Sequence, residues 1–518
     1  MPTTHFGSDH QRILYNSDSG NAFAELWRAA APMGTMDGAA VAAIVENSID
    51  EMARAGIDSL AVVVSHRFES VLGPSQVLGG EWQLQDKDGG YRSLRESGVD
   101  VRQLMAKHCH QRGMEFLGCI RMNDRHSTTL PVGRFIQENP QWHLTQLSGG
   151  PGIDFAADPV RQILLDYIEE LVDSVEVDGI VFDYMRWCHL FHPGQGAENA
   201  HLLTDFTQKT RAVLDAATER LRLGVRVPQT LAECEYLGFD VSAWIRQELV
   251  DFVVPSDFFY TDLNTKVEEF VKLTAGTDCK IYPAIHPVTC HGDDVGINDL
   301  SHYRAAANNF YAHGAAGVEA YNYQYHWGRR IGRNTPWPAH LWPAALDYLR
   351  HLRSAEKIAQ HDRHYRYYPL WENSAPTDGE PKDDRIRLDR AAHRASGTQP
   401  FRLAEDLSDQ NLRATLQFKA VGLSESDSLE IQLNGATIPD IHVTRHYYAG
   451  GQNEWQGREL PAHWLYIVDL DYGQQAPLLI NGDNQLTVGL AGRQDSGAGM
   501  VCIDELEVYI YVRERLDA

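Results

Sequence analysis

A (β/α)8 barrel followed by an antiparallel β-sandwich is the fold that this 518-residue sequence predicts, and three observations carry the prediction. The first is the run Val177-Asp178-Gly179-Ile180-Val181-Phe182-Asp183-Tyr184-Met185-Arg186-Trp187, apolar along its body and polar where it ends. A parallel strand covered on both faces reads this way, with its tip left facing a shared cleft. The second is repetition, because segments of the same grammar recur between helical patterns. The third is a change of period, from helical spacing to strict alternation, past residue 384.

Eight segments supply the parallel strands: 12–16, 57–65, 115–124, 177–184, 223–228, 250–257, 280–286 and 317–322. Helical patterns at 38–55, 101–112, 202–222, 267–274 and 300–313 lie between them. Ahead of the fourth strand, Asp158-Pro159 places an N-cap residue before Pro at the first helical position. Val160, Ile163, Leu164, Ile168, Leu171, Val172 and Val175 then follow at helical spacing. A doubly wound open sheet is the alternative, but no Gly-rich phosphate fingerprint follows any strand.

The barrel is expected to span 1–371, ending with a helix around 343–355. A polar stretch rich in Pro and Gly then reads as a linker at 372–384. The sandwich is expected over 385–518, where 414–420, 429–434, 464–470, 484–490 and 505–511 alternate. Turn signals such as Asn434-Gly435 and Asn481-Gly482-Asp483-Asn484 separate them. Such a sandwich either buttresses a barrel or binds carbohydrate.

At 43% hydrophobic content the chain can bury a large core in two or more domains. No apolar run reaches the length of a membrane span, and the N-terminus lacks a charged and apolar leader, so a cytoplasmic protein is expected, a removed leader staying open. Seven dispersed cysteines without CxxC or zinc spacing read as reduced thiols. A net charge of −25 argues against nucleic acid and against anionic membranes. It also weighs against a polyanionic glycan, although a local basic pocket overrides a global field. The oligomeric state is left open, a homo-oligomer included.

The motifs carry a family resemblance. Arg121-Met122-Asn123-Asp124 closes the third strand, 177–186 the fourth, and Val225-Arg226-Val227-Pro228-Gln229-Thr230 the fifth. Gly238-Phe239-Asp240-Val241-Ser242-Ala243-Trp244-Ile245 then leads into Val250-Asp251-Phe252-Val253-Val254-Pro255. The ordered set, over about residues 10–330, resembles the TIM-barrel glycosyl hydrolases of the glycosyl-hydrolase-like ten type. The resemblance implies a carbohydrate-active barrel whose partner is a glycan. Relatives often carry an acidic residue where Val181 stands, so this chain lacks one carboxylate at strand four.

Glycosidic bonds are broken by two carboxyl groups, one protonating the leaving oxygen and one serving as nucleophile or base. Asp183, at the tip of the most apolar strand, is the nucleophile or base candidate. Arg121 and Arg226 on neighbouring strands, and Arg186 just beyond, are its candidate ionic partners. The alternative is that Asp183 belongs to a structural ion pair. Amylase-like barrels place an acid after strand five, which by analogy makes Glu233 the first donor candidate. Glu235, Asp124, Asp257 and Glu319 compete. Sugar recognition needs flat apolar faces and polar groups for hydroxyls. Tyr184, Trp187, Tyr260, Tyr321, Tyr323 and Trp327 offer the first, and Asn16, Asp18, His66, Arg67, Asn123, His286 and Asn322 the second.

No cofactor and no metal are expected. The first strand lacks the His-x-His of metal-dependent amidohydrolases. A Mg²⁺-dependent lyase or isomerase would need Asp124, Asp183 and Glu233 as ligands. His286-Pro287-Val288-Thr289-Cys290-His291, with Asp293 and Asp294, reads as a solvated loop. A sugar-binding protein without activity is a further alternative.

Overall fold

The computed structural model describes residues 11–17, 37–79, 98–125, 133–144, 152–257, 260–287, 298–323, 346–368, 370–371, 382–392, 395–409, 411–452, 459–471, 478–491 and 499–513. Parallel strands β1 (Arg12–Ser17), β2 (Ser59–His66), β3 (Glu115–Arg121), β4 (Gly179–Asp183), β5 (Arg222–Val227), β6 (Phe252–Pro255), β7 (Lys280–Ile281), β8 (Ala284–Ile285) and β9 (Gly317–Tyr321) form one curled sheet. Its order is β7-β6-β5-β4-β3-β2-β1-β9-β8. The two ends of that order are dipeptides of a single run, with only Tyr282 and Pro283 between them. Tyr282 N–H donates to Val253 of β6 at 2.9 Å, while the Pro283 carbonyl accepts from Glu319 of β9 at 3.0 Å.

Helices α1 (Gly38–Arg54), α2 (Val101–Gln111), α3 (Asp158–Ser174), α4 (Gly196–Asp215), α5 (Leu231–Leu237), α6 (Val241–Arg246), α7 (Val267–Leu273), α8 (Leu300–Ala312), α9 (Asp347–His351) and α10 (Ala355–Ala359) cover the outer face. Their starts follow capping chemistry. Side chains of Asp37, Asp100, Thr230 and Asp299 accept from backbone N–H groups in the first turns of α1, α2, α5 and α8. Asp158 is an exception to the sequence reading. Ala157 caps α3 without a side-chain bond, and Asp158 and Pro159 lie inside the first turn, where a carboxylate still faces the positive end of the dipole.

Period-two alternation splits the sheet into two cores. Outward residues such as Ile13, Tyr15, Ile180, Phe182 and Val318 join the helices. Inward residues make a separate cluster: Leu14, Ala61, Val63, Leu117, Cys119, Val181, Phe252, Val254, Tyr282 and Ala284. Gly224 lets the Phe252 ring lie across its strand, since any Cβ there would strike that ring.

Below this apolar layer sits a buried ionic one. Glu115 accepts from Arg12 at 2.8 Å, from Ser59 at 2.6 Å and from Arg222 Nη1 at 3.0 Å, with Arg222 Nη2 2.5 Å from its other oxygen as an ion pair. Breaking a buried pair leaves an uncompensated charge, so Glu115→Gln is expected to lower unfolding stability by about 3 kcal/mol or more. Urea unfolding measures this, and a loss under about 1 kcal/mol would make the cluster a screened surface-like pair.

The second part is antiparallel. One sheet runs β10 (Arg363–Tyr367), β18 (Met500–Val512), β13 (Leu412–Val421), β16 (His463–Asp469) and β15 (Val443–Tyr448), with β11 (Ile386–Asp389) also on β18. The other runs β12 (Ser396–Leu403), β17 (Gly482–Ala491) and β14 (Ser428–Leu433), then Ala436–Thr437. Leu416, Phe418 and Ala420 alternate with half-exposed neighbours along β13, as a half-buried strand requires.

Of the predicted linker only 382–384 is described, and Lys382–Asp383 pairs with Leu370–Trp371. Helix α8 docks on this part: Asn308 Nδ2 donates to Ala404 at 2.7 Å, and Asn309 Nδ2 donates to Arg402 at 2.8 Å. No described helix is long and apolar enough to cross a membrane, and no disulfide joins the described cysteines.

Candidate active site

Strand parity decides which tips meet. With Val181 inward, Asp183 is inward too, and Arg121 and Arg226 stand in register beside it on β3 and β5. Asn16 and Tyr321 pair across β1 and β9. Asn16, Arg121, Asp183, Arg226, Ser256, His286, Glu319 and Tyr321 are all buried at this upper level.

The guanidinium of Arg226 organises the group. Its Nη1 donates to Asp183 Oδ1 at 2.7 Å, and its Nη2 to the Asp257 carbonyl at 2.8 Å. Nε and Nη2 reach Ser256 Oγ at 3.1 and 2.9 Å, and Nε lies 3.6 Å from Glu319 Oε2. The Tyr321 ring lies under the guanidinium carbon at 3.8 Å, a cation–π contact. One cation therefore holds two buried carboxyl groups.

Those two groups are solvated differently. Asp183 accepts from Arg226 and from the Met185 N–H at 3.0 Å, with Tyr321 Oη at 3.5 Å and Arg121 Nε at 4.0 Å. Glu319 accepts at Oε1 from Asn16 Nδ2 at 2.9 Å, while among the described residues Oε2 has no hydrogen-bond partner. Burial pushes the Glu319 carboxyl up to about 7, against the pull of Arg226 and Asn16 and with a further push from Asp183. His286, 3.1 Å from Ser256 Oγ, is held well below its ordinary value by burial and by the charges of Arg226 and Arg186. It is thus neutral at the Tyr321 side of the pair, its ring centroid 5.1 Å from that of Tyr321.

The other sequence candidates fall into distinct places. Arg121 bonds Asp124 at 3.2 Å and Tyr321 Oη at 3.2 Å. Asn123 spends its amide on backbone, donating to Ile153 and His189 at 3.1 and 2.8 Å and accepting from Ile153 at 2.9 Å. Tyr184 has the outward parity and packs on Phe239 and Trp244 at 4.7 and 5.9 Å, as core rather than platform. Arg186 is buried, with its guanidinium carbon 5.2 Å from the half-buried Trp187 ring. Asp257 and Tyr260 are buried past the end of β6, and His66 is buried as the last residue of β2. Asn322 donates its N–H to the Asn16 carbonyl at 2.8 Å. Tyr323 packs edge-on against Tyr15 and Tyr303, away from the inner face.

Glu233 lies in the first turn of α5, half-buried, with Oε2 2.8 Å from Thr230 Oγ1. Glu235 is exposed. Trp327, Asp18, Cys290, His291, Asp293 and Asp294 lie outside the described residues. Among the described residues, no three His, Cys, Asp or Glu side chains are gathered to share a metal ion, and Asp124, Asp183 and Glu233 are not brought together.

Backbone strain collects at the same level. Arg67 (φ 51°), Phe68 (φ 55°), Trp187 (φ 65°) and Asn322 (φ 49°) are left-handed non-glycine residues, all just past strand tips. Such conformations cost of order 1–3 kcal/mol each and persist where surrounding structure enforces them. Ser256 is the site member that the sequence reading passed over. Its signal is parity, two residues beyond inward Val254, whereas Asp257 offers Arg226 its carbonyl.

No protein-family model matches the chain, and no curated protein matches it. Solved structures similar to it include a cycloisomaltooligosaccharide glucanotransferase from Paenibacillus sp. complexed with cycloisomaltoheptaose, at 11% identity and a TM-score of 0.37, over 96% of this chain and 57% of that one. An α-L-fucosidase, isoenzyme 2, from Paenibacillus thiaminolyticus is similar at 12% identity and a TM-score of 0.42, over 67% and 49%. A maltogenic α-amylase from Thermotoga neapolitana is similar at 11% identity and a TM-score of 0.37, over 93% and 99%. The chain spans about half the length of the first two. At TM-scores below 0.5 these likenesses say nothing of what this chain binds or cleaves.

Proposed function

We propose that this chain is a glycoside hydrolase, with Asp183 as nucleophile or base and Glu319 as proton donor. The observation that carries this reading is the buried pair of carboxyl groups on the single guanidinium of Arg226, one well supplied with donors and one poorly. Paired carboxyls in contrasting surroundings are what glycoside hydrolysis needs, one ionised and one protonated at the working pH. Glu319, raised to about 7, keeps a substantial protonated fraction up to neutral pH, and Oε2, which has no hydrogen-bond partner among the described residues, is the oxygen placed to give the proton. Glu233, tied to Thr230 at its helix start, is better suited to capping than to donation.

The reading includes a closed (β/α)8 barrel, supported by the single run 280–285 that pairs with β6 at one end and β9 at the other. It also includes a two-part chain in which the sandwich takes in Arg363–Tyr367. The resemblance of the strand-tip motifs to glycosyl-hydrolase-like ten proteins agrees with it. A screen of aryl glycosides and natural oligosaccharides, with Asp183→Asn as control, tests the activity. Release of sugar by the unaltered chain and not by the variant is expected. Binding of glycans without cleavage by either would leave a sugar-binding protein instead.

A further inference from the structure

Arg67 is buried at 1% exposure, and among the described residues none of Nε, Nη1 and Nη2 has a hydrogen-bond partner. Other arginines buried as deeply are matched by carboxylates. Arg102 meets Asp100 at 2.7 Å, Arg226 meets Asp183 at 2.7 Å, and Arg363 meets Glu405 at 2.8 Å. A guanidinium cannot shed its proton in a protein, so an unmatched one buried from water is among the costliest arrangements in a folded chain.

The backbone adds to that cost. Arg67 and Phe68 are consecutive left-handed residues, and the Gly133 N–H locks the Arg67 carbonyl at 3.0 Å. A β-carbon at position 133 would collide with the Phe68 and Arg67 carbonyls, so glycine there permits the bend. Two independent costs thus converge on one side chain at the tip of β2.

The neighbouring carboxyl groups do not discharge it. Asp124 acts on Arg67 through its charge but bonds Arg121. Glu69 is itself pushed up by burial, which favours its neutral form. In the sheet order β2 is two strands from β4, which carries Asp183, and two from β9, which carries Glu319. At the usual strand spacing that is about 10 Å along the rim, a span that a disaccharide covers.

We propose that Arg67 anchors an anion subsite, and that the glycan taken by this site carries a carboxylate or sulfate group there. The fixed fork of guanidinium donors matches the paired oxygens of such groups. With a net charge of −25 the chain as a whole repels anions, so the attraction is local to this rim. The substrate class rests on the glycosidase reading, whereas the anion subsite stands on the geometry of Arg67.

Calorimetric titration of the full chain with D-glucuronate, D-galacturonate, galactose 6-sulfate, D-glucose and D-galactose tests it. The anionic sugars are expected to bind at least about tenfold tighter than the neutral ones, and the uronate and sulfate arms tell the two anions apart. Arg67→Met removes the preference, and Arg67→Lys keeps charge without the fork and retains part of it. Equal binding of neutral sugars, no binding of any anionic sugar, or a preference that survives Arg67→Met overturns the proposal. Loss of the hydrolase reading would look different: no glycoside cleaved, neutral or anionic, with the anionic preference intact.

Discussion

Asp183→Asn is expected to lower turnover on aryl glycosides by about four orders of magnitude. The amide keeps the shape and an acceptor for Arg226, but neither attacks carbon nor takes a proton. The same change acts on Glu319. Asp183 pushes the Glu319 carboxyl up and shares Arg226 with it, so neutralising position 183 returns more of that cation to Glu319. Residual activity in Asp183→Asn should therefore decline at lower pH than in the parent. A pH–rate profile of both proteins measures this, and near-normal turnover in the variant would remove Asp183 from the chemistry. Failure of the variant to fold would instead mark Asp183 as a structural ion-pair partner.

Glu319→Gln is expected to abolish the fall in rate that begins near pH 7, and to slow substrates with poor leaving groups far more than activated aryl glycosides. A merely structural Glu319 would slow both alike. Stability provides a second readout with a definite sign. A carboxyl at about 7 in the folded chain and at its ordinary 4.5 when unfolded holds more protons folded than unfolded between those values. Stability then falls as pH rises from 4.5 and the loss is complete above 7, about 3 kcal/mol in all. Gln at 319 has no such loss. The stability difference between variant and parent should swing by about 3 kcal/mol in favour of the variant between pH 4 and pH 8. A flat difference across that range would show that the Glu319 carboxyl titrates alike in the folded and unfolded chain, without the upward push.

Much of this architecture is legible in the sequence, because runs such as 177–184 encode burial on both faces and the stretch past 384 encodes burial on one. Helix starts are legible through Asp37, Asp100 and Asp299. The site is legible only in part, since its membership follows parity across several strands. Parity alone sends Tyr184 outward and Ser256 inward, and a slip of one position exchanges the two faces. Glu233 illustrates a signal present but outweighed: Thr230 and Glu233 stand at the three-residue spacing of a capping box, which reads as a helix start before it reads as an acid. Glu319 is the reverse case, a carboxyl inside a strand whose importance depends on Arg226 arriving from another strand. Arg67 could be named from its place after a strand, but that its guanidinium has no hydrogen-bond partner among the described residues is a property of three-dimensional packing.

The junction through α8 has a mechanical consequence. Asn308 and Asn309 are pinned to the Arg402–Glu405 stretch, and Arg402 also grips Glu268 of α7 with two bonds at 2.8 and 3.0 Å. The two helices so gripped are those that flank the 280–285 run, and α8 leads directly into the strand that carries Glu319. The antiparallel part therefore holds, through these bonds, both helices beside the run 280–285, which pairs with β6 at one end and β9 at the other. Loosening of these contacts, by heat or denaturant, would be transmitted through α8 to the strand that carries Glu319.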